Sequence, residues 1–308
     1  MLFSKKALGL EICGEGALIA FVEGGKGMPV LKACGSAPFP ANTVRFSLKE
    51  NNVLNPALFV ATIRELYLKL LTGVRRVSVS LPDSAGRAML LDVETRFKSR
   101  NEGADIIRWK LKKSFPFDIN ECHLDYQVIG EKETGEISLL VSLISRQVLL
   151  QYEDLLAEAG LEPNRIDFTT FNLYHLFSQR LELAENSMLI TSHGAALGML
   201  IFYGGLLEFY RAKELPVGSL ETNRAFRELN SSVIVYQEKY PAHAPSEAFC
   251  IHSGDNGEAF SAMVAEATRL EPVILDVERA IDLGRSHAVD KKTLAMLTAA
   301  LGAAARNL

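Results

Sequence analysis

The stretch "LGLEICGEGALIAFVEGG", residues 8–25, sets apolar positions two apart, breaks at a glycine-laced turn and closes on Gly24-Gly25. It reads as a strand, a tight turn and a second strand, with the glycine pair turning the chain into a third strand, "PVLKACG". The same plan recurs at residues 188–205, "MLITSHGAALGMLIFYGG", followed by "LLEFYRAKEL". At a constant offset of 180, Leu8, Leu10 and Ile12 match Met188, Ile190 and Ser192. Gly14 likewise matches Gly194, and Gly24-Gly25 matches Gly204-Gly205. Any two β-meanders place glycines at turns for backbone reasons alone. Shared spacing across both turns favours duplication, and with it two related halves separated by a cleft.

The rest of the chain fits that frame. At 308 residues it can bury a large core in two domains, and its net charge of −4 argues against a general nucleic-acid binder. "MLFSKKALGLEI" runs into a strand pattern instead of a signal-peptide apolar region, and no run is long and apolar enough to span a membrane. The four cysteines, at 13, 34, 122 and 250, stand alone, and the six histidines are scattered. No metal site is expected from them; lone thiols in a reducing cytoplasm fit better.

"NPALFVATIRELYLKLLTG" predicts a helix with Asn55 as N-cap, Pro56 in its first turn and Phe59, Ile63, Leu66 and Leu70 on one face. A strand "VRRVSVSLP" follows. Then "AMLLDVETRF", "ADIIRWKLKKSF", "CHLDYQVIG", "EISLLVSLIS" and "RQVLLQYEDLLAEAG" read β-α-β-β-α, a compact module inserted at about 84–165. The first half thus covers 1–186 and the second 187–285. Residues 286–308 form an Ala-rich helix, capped by Asp290, that returns to the first half. The fold class is α/β.

This arrangement resembles the actin-like (ribonuclease H-like) ATPase superfamily, a duplicated fold, and more closely the PilM family of type IV pilus assembly proteins. "FSKKALGLEI", "LKKSFPFDINECHLDYQVIG", "LLVSLISRQVLLQYEDLLAEAGLEPNRIDFTTFNLYHLF" and "LAMLTAALGAAARNL" carry the resemblance, which covers essentially the whole chain and is strongest over 104–177. A plain reading of "SFPF" is a helix stop: the residue before Pro116 avoids helix, and Phe115 and Phe117 bury as a wedge.

The resemblance implies a nucleotide site between the halves, with hairpin N–H groups on phosphates and an acid on each adjoining strand. The residues aligned with that site are Glu11, Gly14, Gly16, Thr191, Gly194, Gly254 and Gly257. The family's D-x-G-[S/T] stands here as Glu11-Ile12-Cys13-Gly14, with Glu15 placing a negative charge in the turn. In the second hairpin D-x-G has become Thr191-Ser192-His193, so the second acid is missing, and threonine cannot neutralise Mg²⁺. "CIHSGDNG" stands where an adenosine-side glycine turn is expected, but Asp255 and Asn256 interrupt it. Only "PVGSLETNRAFR" separates the second hairpin's last strand from the helix "ELNSSVIVY", so the outer subdomain that roofs the nucleotide is cut away and the second half is reduced. A pseudo-ATPase with no catalytic residues and no cofactor is expected; ATP with Mg²⁺ at the remaining residues is the alternative.

For the PilM family, the resemblance implies a scaffold at the cytoplasmic face of the inner membrane. Its partner is the cytoplasmic tail of a bitopic PilN-like membrane protein, with other pilus platform proteins nearby, no nucleic acid and only indirect membrane contact. The tail's groove would lie between the first-half core and the inserted module, bordered by Val79, Leu81 and Pro82 of "VSVSLP", by Met89 and Leu91, and by Phe115 and Phe117. An extended peptide would pair there as a strand. A scaffold of this kind predicts that Glu11→Ala is silent. The basic run Arg108, Lys110, Lys112 and Lys113 beside Trp109 admits two readings: contact with anionic lipid or an acidic partner, or a solvated helix face, which is favoured.

Overall fold

The computed structural model describes residues 4–24, 27–94, 96–115, 117–132, 134–216, 219, 223–284 and 289–308. Gly25 and Pro116, both singled out above, lie outside the described residues.

Strands β1 (Lys5–Ile12), β2 (Gly16–Gly24), β3 (Val30–Pro38), β4 (Arg76–Leu81) and β8 (Glu162–Phe168) form one sheet in the order β3-β2-β1-β4-β8. A second sheet repeats that order with β9 (Ser187–His193), β10 (Ala196–Tyr203), β11 (Leu206–Glu214), β12 (Glu247–His252) and β13 (Pro272–Ile274), arranged β11-β10-β9-β12-β13. The duplication extends to register. Leu10 pairs with Ile19 and Ile190 with Met199, each residue moved on by 180 positions. The ladder to the third strand shifts between Phe21 and Val22 in one half and between Ile201 and Phe202 in the other, again 180 positions apart. In the turn after β10, Gly204 and Gly205 both take positive φ, 58° and 73°, a conformation that glycine adopts without steric cost. Gly24 instead ends β2, where an added Cβ would lie 2.6 Å from the Leu308 side chain.

Between β4 and β8 the chain leaves the first sheet to build a smaller one, β5-β7-β6, from β5 (Arg87–Val93), β6 (Cys122–Glu131) and β7 (Ile137–Ser145). Helix α2 (Arg100–Leu111) covers one face of it through Ile107 and Leu111. The helix that ends the insertion, α3 (Arg146–Glu158), buries Val148, Tyr152, Leu155 and Leu156 in the core of the first sheet. It packs there beside α1 (Pro56–Lys69), whose N-cap Asn55 accepts from the Leu58 N–H. In chain order the insertion is β-α-β-β-α, and its last helix is shared with the first half's outer layer.

The large sheets face each other across α4 (Thr169–Leu176) and α9 (Thr298–Ala305). Helix α4 is followed by the short α5 (Ser178–Leu181), and α8 (Lys291–Met296), capped by Asp290, leads into α9 with a break only at Leu297. The alanine face of α9 lies directly on β1, where a Cβ on Gly9 would be 1.9 Å from the Ala300 carbonyl oxygen. Gly302 comes equally close to α4, with the Asn172 carbonyl oxygen 2.0 Å from its Cβ position. Helices α6 (Arg224–Lys239) and α7 (Gly257–Thr268) cover the outer face of the second sheet. Among the described residues, no helix is long and apolar enough to cross a membrane.

Candidate functional site

Alternation along the strands decides which side chains meet at the cleft. Leu8, Leu10 and Ile12 point to the outer core of the first half, so Ala7, Gly9 and Glu11 point inward. Met188 and Ile190 point outward in the second half, so Leu189, Thr191 and His193 point inward. β1 runs parallel to β4 and β9 parallel to β12, and the carboxyl ends of these strands converge where an open α/β fold binds ligands.

A side-chain pair stands at that point. Glu11 Oε1 and His193 Nε2 are 2.7 Å apart, one from each half, with side chains 3% and 6% exposed. Burial alone would push the His193 imidazole toward its neutral form. The charge and hydrogen bond of Glu11, with Asp83 farther off, outweigh burial and hold its pKa above the ordinary value. Glu11 Oε2 and His193 Nδ1 are buried without a hydrogen-bond partner.

A second link crosses between the halves nearby. Asp83, just after β4, accepts from the Thr170 N–H at 3.2 Å and the Thr170 hydroxyl at 2.9 Å, while the Tyr210 hydroxyl of β11 donates to it at 2.5 Å. Burial pushes the Asp83 carboxyl above its ordinary range, against these three donors. The Thr191 and Thr170 hydroxyls converge on Gly198, whose absent Cβ leaves room for them. His252, at the end of β12, is held toward its neutral form by burial and then by nearby His193.

A separate groove opens between the insertion and the first half. β6 is an edge strand of the small sheet and β8 an edge strand of the first large sheet, so each leaves backbone groups free along its outer side. A groove of about 400 Å³ is lined there by His123, Asp125, Arg165, Asp167 and Arg306. It continues, through Asp125, Asp167 and Arg306, into one of about 600 Å³ that reaches Tyr174, His175 and the tip of the β10–β11 hairpin. Arg306 pairs with Asp167 at 2.8 Å. His175 is driven down to about 4 by burial first and then by Arg306 and Arg165, so a neutral imidazole lines this groove.

No family model and no curated protein matches the chain. Among solved structures, it is similar to a chain of the PilM-PilN type IV pilus biogenesis complex, at a TM-score of 0.81 and 19% identity over 98% of both chains. The fold is PilM-like and actin-like. More distant likenesses, both at a TM-score of 0.52, reach a Bacteroides thetaiotaomicron protein with an actin-like ATPase fold (10% identity, 90% of this chain and 92% of that one) and the cytoplasmic domain of EpsL. EpsL is an inner-membrane component of the type II secretion system of Vibrio cholerae; its match has 11% identity over 96% of this chain and 94% of that one.

Of the residues expected at a nucleotide site, Glu11 and Thr191 point into the cleft and some of the glycines serve packing. Gly16 is small because the Ala37 carbonyl oxygen would lie 2.3 Å from a Cβ, so it serves strand pairing. A Cβ on Gly254 would meet the His252 ring at 2.7 Å. The Gly194 N–H, in the turn between β9 and β10, donates to Ser253 Oγ at 3.2 Å. Gly14 and Gly257 face open space, Gly257 as the first residue of α7. Thr191 is buried. His193 is not among the residues expected at the site; its signal in the sequence is an imidazole in the glycine position of D-x-G, on the same alternating face as Thr191. Among the described residues, no group of three or more His, Cys, Asp or Glu could hold a metal.

The residues expected to border a peptide groove do not line one surface. The expectation for Val79 and Leu81 is corrected: both are fully buried in the first half's core beneath α1 and α3, and they have no surface to offer a peptide. Pro82 is half-buried before the Asp83–Ala85 turn. Leu91 packs toward α2. Met89, Phe115 and Phe117 come together around an open apolar cavity of about 680 Å³, distinct from the groove between β6 and β8.

Proposed function

We propose that the chain is a nucleotide-independent scaffold at the cytoplasmic face of an inner-membrane type IV pilus or related secretion platform, where it holds the cytoplasmic tail of a PilN-like bitopic membrane protein. The observation that carries this reading is the Glu11–His193 pair. A phosphate entering the cleft would have to displace a buried pair and face an uncompensated Glu11 carboxylate, with no acid on β9 to help hold Mg²⁺. An actin-like fold with that cleft filled keeps the shape of an ATPase without its chemistry. Likeness to a chain of the PilM-PilN complex supports the partner class, and likeness to the EpsL cytoplasmic domain supports the platform.

The groove between β6 and β8 suits an extended tail. Strand pairing with either free edge supplies main-chain hydrogen bonds, and alternate side chains would reach the groove floor. Asp125, Asp167, Arg165 and Arg306 there make a mixed-charge wall that selects polar side chains at fixed positions.

Calorimetry with two ligands tests both parts. Titration with ATP and Mg²⁺ is expected to give no heat of binding, and the tail peptide of a PilN-type protein from the same organism is expected to bind. Arg165→Glu should weaken the peptide at least tenfold. Micromolar ATP affinity, lost in Glu11→Gln, would restore a nucleotide-switched ATPase. A peptide that binds equally well to Arg165→Glu would remove the tail from this groove.

A further inference from the structure

Helix α2 carries the anomaly this inference rests on. Its inner face buries Gly103, Ile107 and Leu111 against the small sheet. On the opposite side stands Trp109, the only tryptophan in the chain, 80% exposed. An indole costs more to leave in water than almost any other side chain, and its usual uses at a surface are interfaces and membrane headgroup regions. Lys112 and Lys113 follow in the turn that ends the helix, and both lysines are exposed. Two further cations are close: Arg108 pairs with Asp105 at 3.5 Å, and Lys110 reaches the Asp92 carbonyl oxygen. No carboxylate occurs between Ile106 and Phe117.

We propose that the outer face of α2 is a contact surface for anionic phospholipid, with Trp109 entering the headgroup region and Lys112 and Lys113 meeting the lipid phosphates. The shape favours a membrane over an acidic polypeptide. A convex helix face with one projecting indole offers a chain segment no pocket, whereas a planar interface accepts an indole from outside. The charges match a negatively charged leaflet, which attracts each nearby lysine about fivefold. Two lysines and one indole give weak, reversible binding. That suffices if another contact already holds the protein near the membrane, because a second contact then acts at high effective concentration. The proposal goes beyond the scaffold reading and stands whatever occupies the groove.

Trp109 is its own reporter. The intact protein, without any tail peptide, is mixed with vesicles of phosphatidylcholine alone and of phosphatidylcholine with phosphatidylglycerol. The expected result is a blue shift of tryptophan emission and co-sedimentation with the anionic vesicles only, both reversed by added salt. Lys112→Gln with Lys113→Gln should lower the partition about 25-fold, following the attraction per charge. Trp109→Ala should abolish co-sedimentation, and circular dichroism should show each variant folded, since all three positions are exposed. No shift with anionic vesicles overturns the proposal. So does an equal shift with neutral vesicles, and so does a shift produced by polyglutamate but not by lipid.

Discussion

A buried charge pair between two halves of a molecule is a commitment, and its energetics set what substitution does. Removing one partner strands the other charge in a low-dielectric site, which costs about 3–5 kcal/mol. Glu11→Ala is therefore expected to lower stability by about that much, where a scaffold had been expected to tolerate it silently. Glu11→Gln keeps an oxygen for the imidazole and should cost less, about 1–3 kcal/mol. Urea unfolding of the two variants separates these values. The pH dependence follows from the same residue. The folded state binds the His193 proton more tightly than the unfolded chain does, so this stabilisation is complete below the ordinary value of 6.5 and is lost as pH rises through the raised value. His175 behaves oppositely. Lowered to about 4, it stays neutral in the fold while the unfolded chain takes up a proton, so stability falls as pH drops from 6.5 toward 4. The melting temperature should peak near neutrality. His193→Gln should flatten the alkaline limb, and His175→Asn the acid limb.

At the level of elements, glycines divide by what surrounds them. Gly9 lies under α9 against backbone atoms that cannot move aside, whereas Gly14 has nothing within 4 Å of its Cβ position. Gly9→Val should lower stability by at least about 3 kcal/mol through overpacking, and Gly14→Ala should change it by less than about 0.5 kcal/mol. A working phosphate cradle would make Gly14 the sensitive position for ligand binding, so measuring both variants distinguishes packing from function. The elements themselves were largely legible. Asn55 and Pro56 start α1 as their chemistry dictates, and the spacing of the two hairpins anticipated a ladder register that repeats to the residue. What escaped the sequence was partnership over distance. α3 follows the small sheet in the chain, yet its apolar stripe fits the first large sheet, and periodicity does not say which surface a stripe will cover. Val79 and Leu81 read as strand residues able to line a groove; only the order β3-β2-β1-β4-β8 shows that β4 has neighbours on both sides. Edge strands β6 and β8 gained their significance the same way. For His193, alternation assigned the face correctly, and the fold supplied Glu11 opposite it.

For the whole molecule, the question is what in the fold would keep nucleotide out of the cleft. Two obstacles are visible. The Glu11–His193 pair fills the cleft floor, with the Asp83–Tyr210 hydrogen bond as a second tie between the halves. Independently, β11 is joined to α6 by residues 215–223 alone, a length that cannot hold a roofing subdomain. Restoring the floor with Cys13→Gly, Thr191→Asp and His193→Gly tests them separately. A ligand present at 100 times its dissociation constant adds about 2.7 kcal/mol of stability, enough to move a melting curve by several degrees. If the missing roof is decisive, the repaired protein melts at the same temperature with and without ATP and Mg²⁺. If the curve shifts upward with nucleotide, the altered floor was the sole obstacle, and two halves with a restored floor suffice to hold ATP.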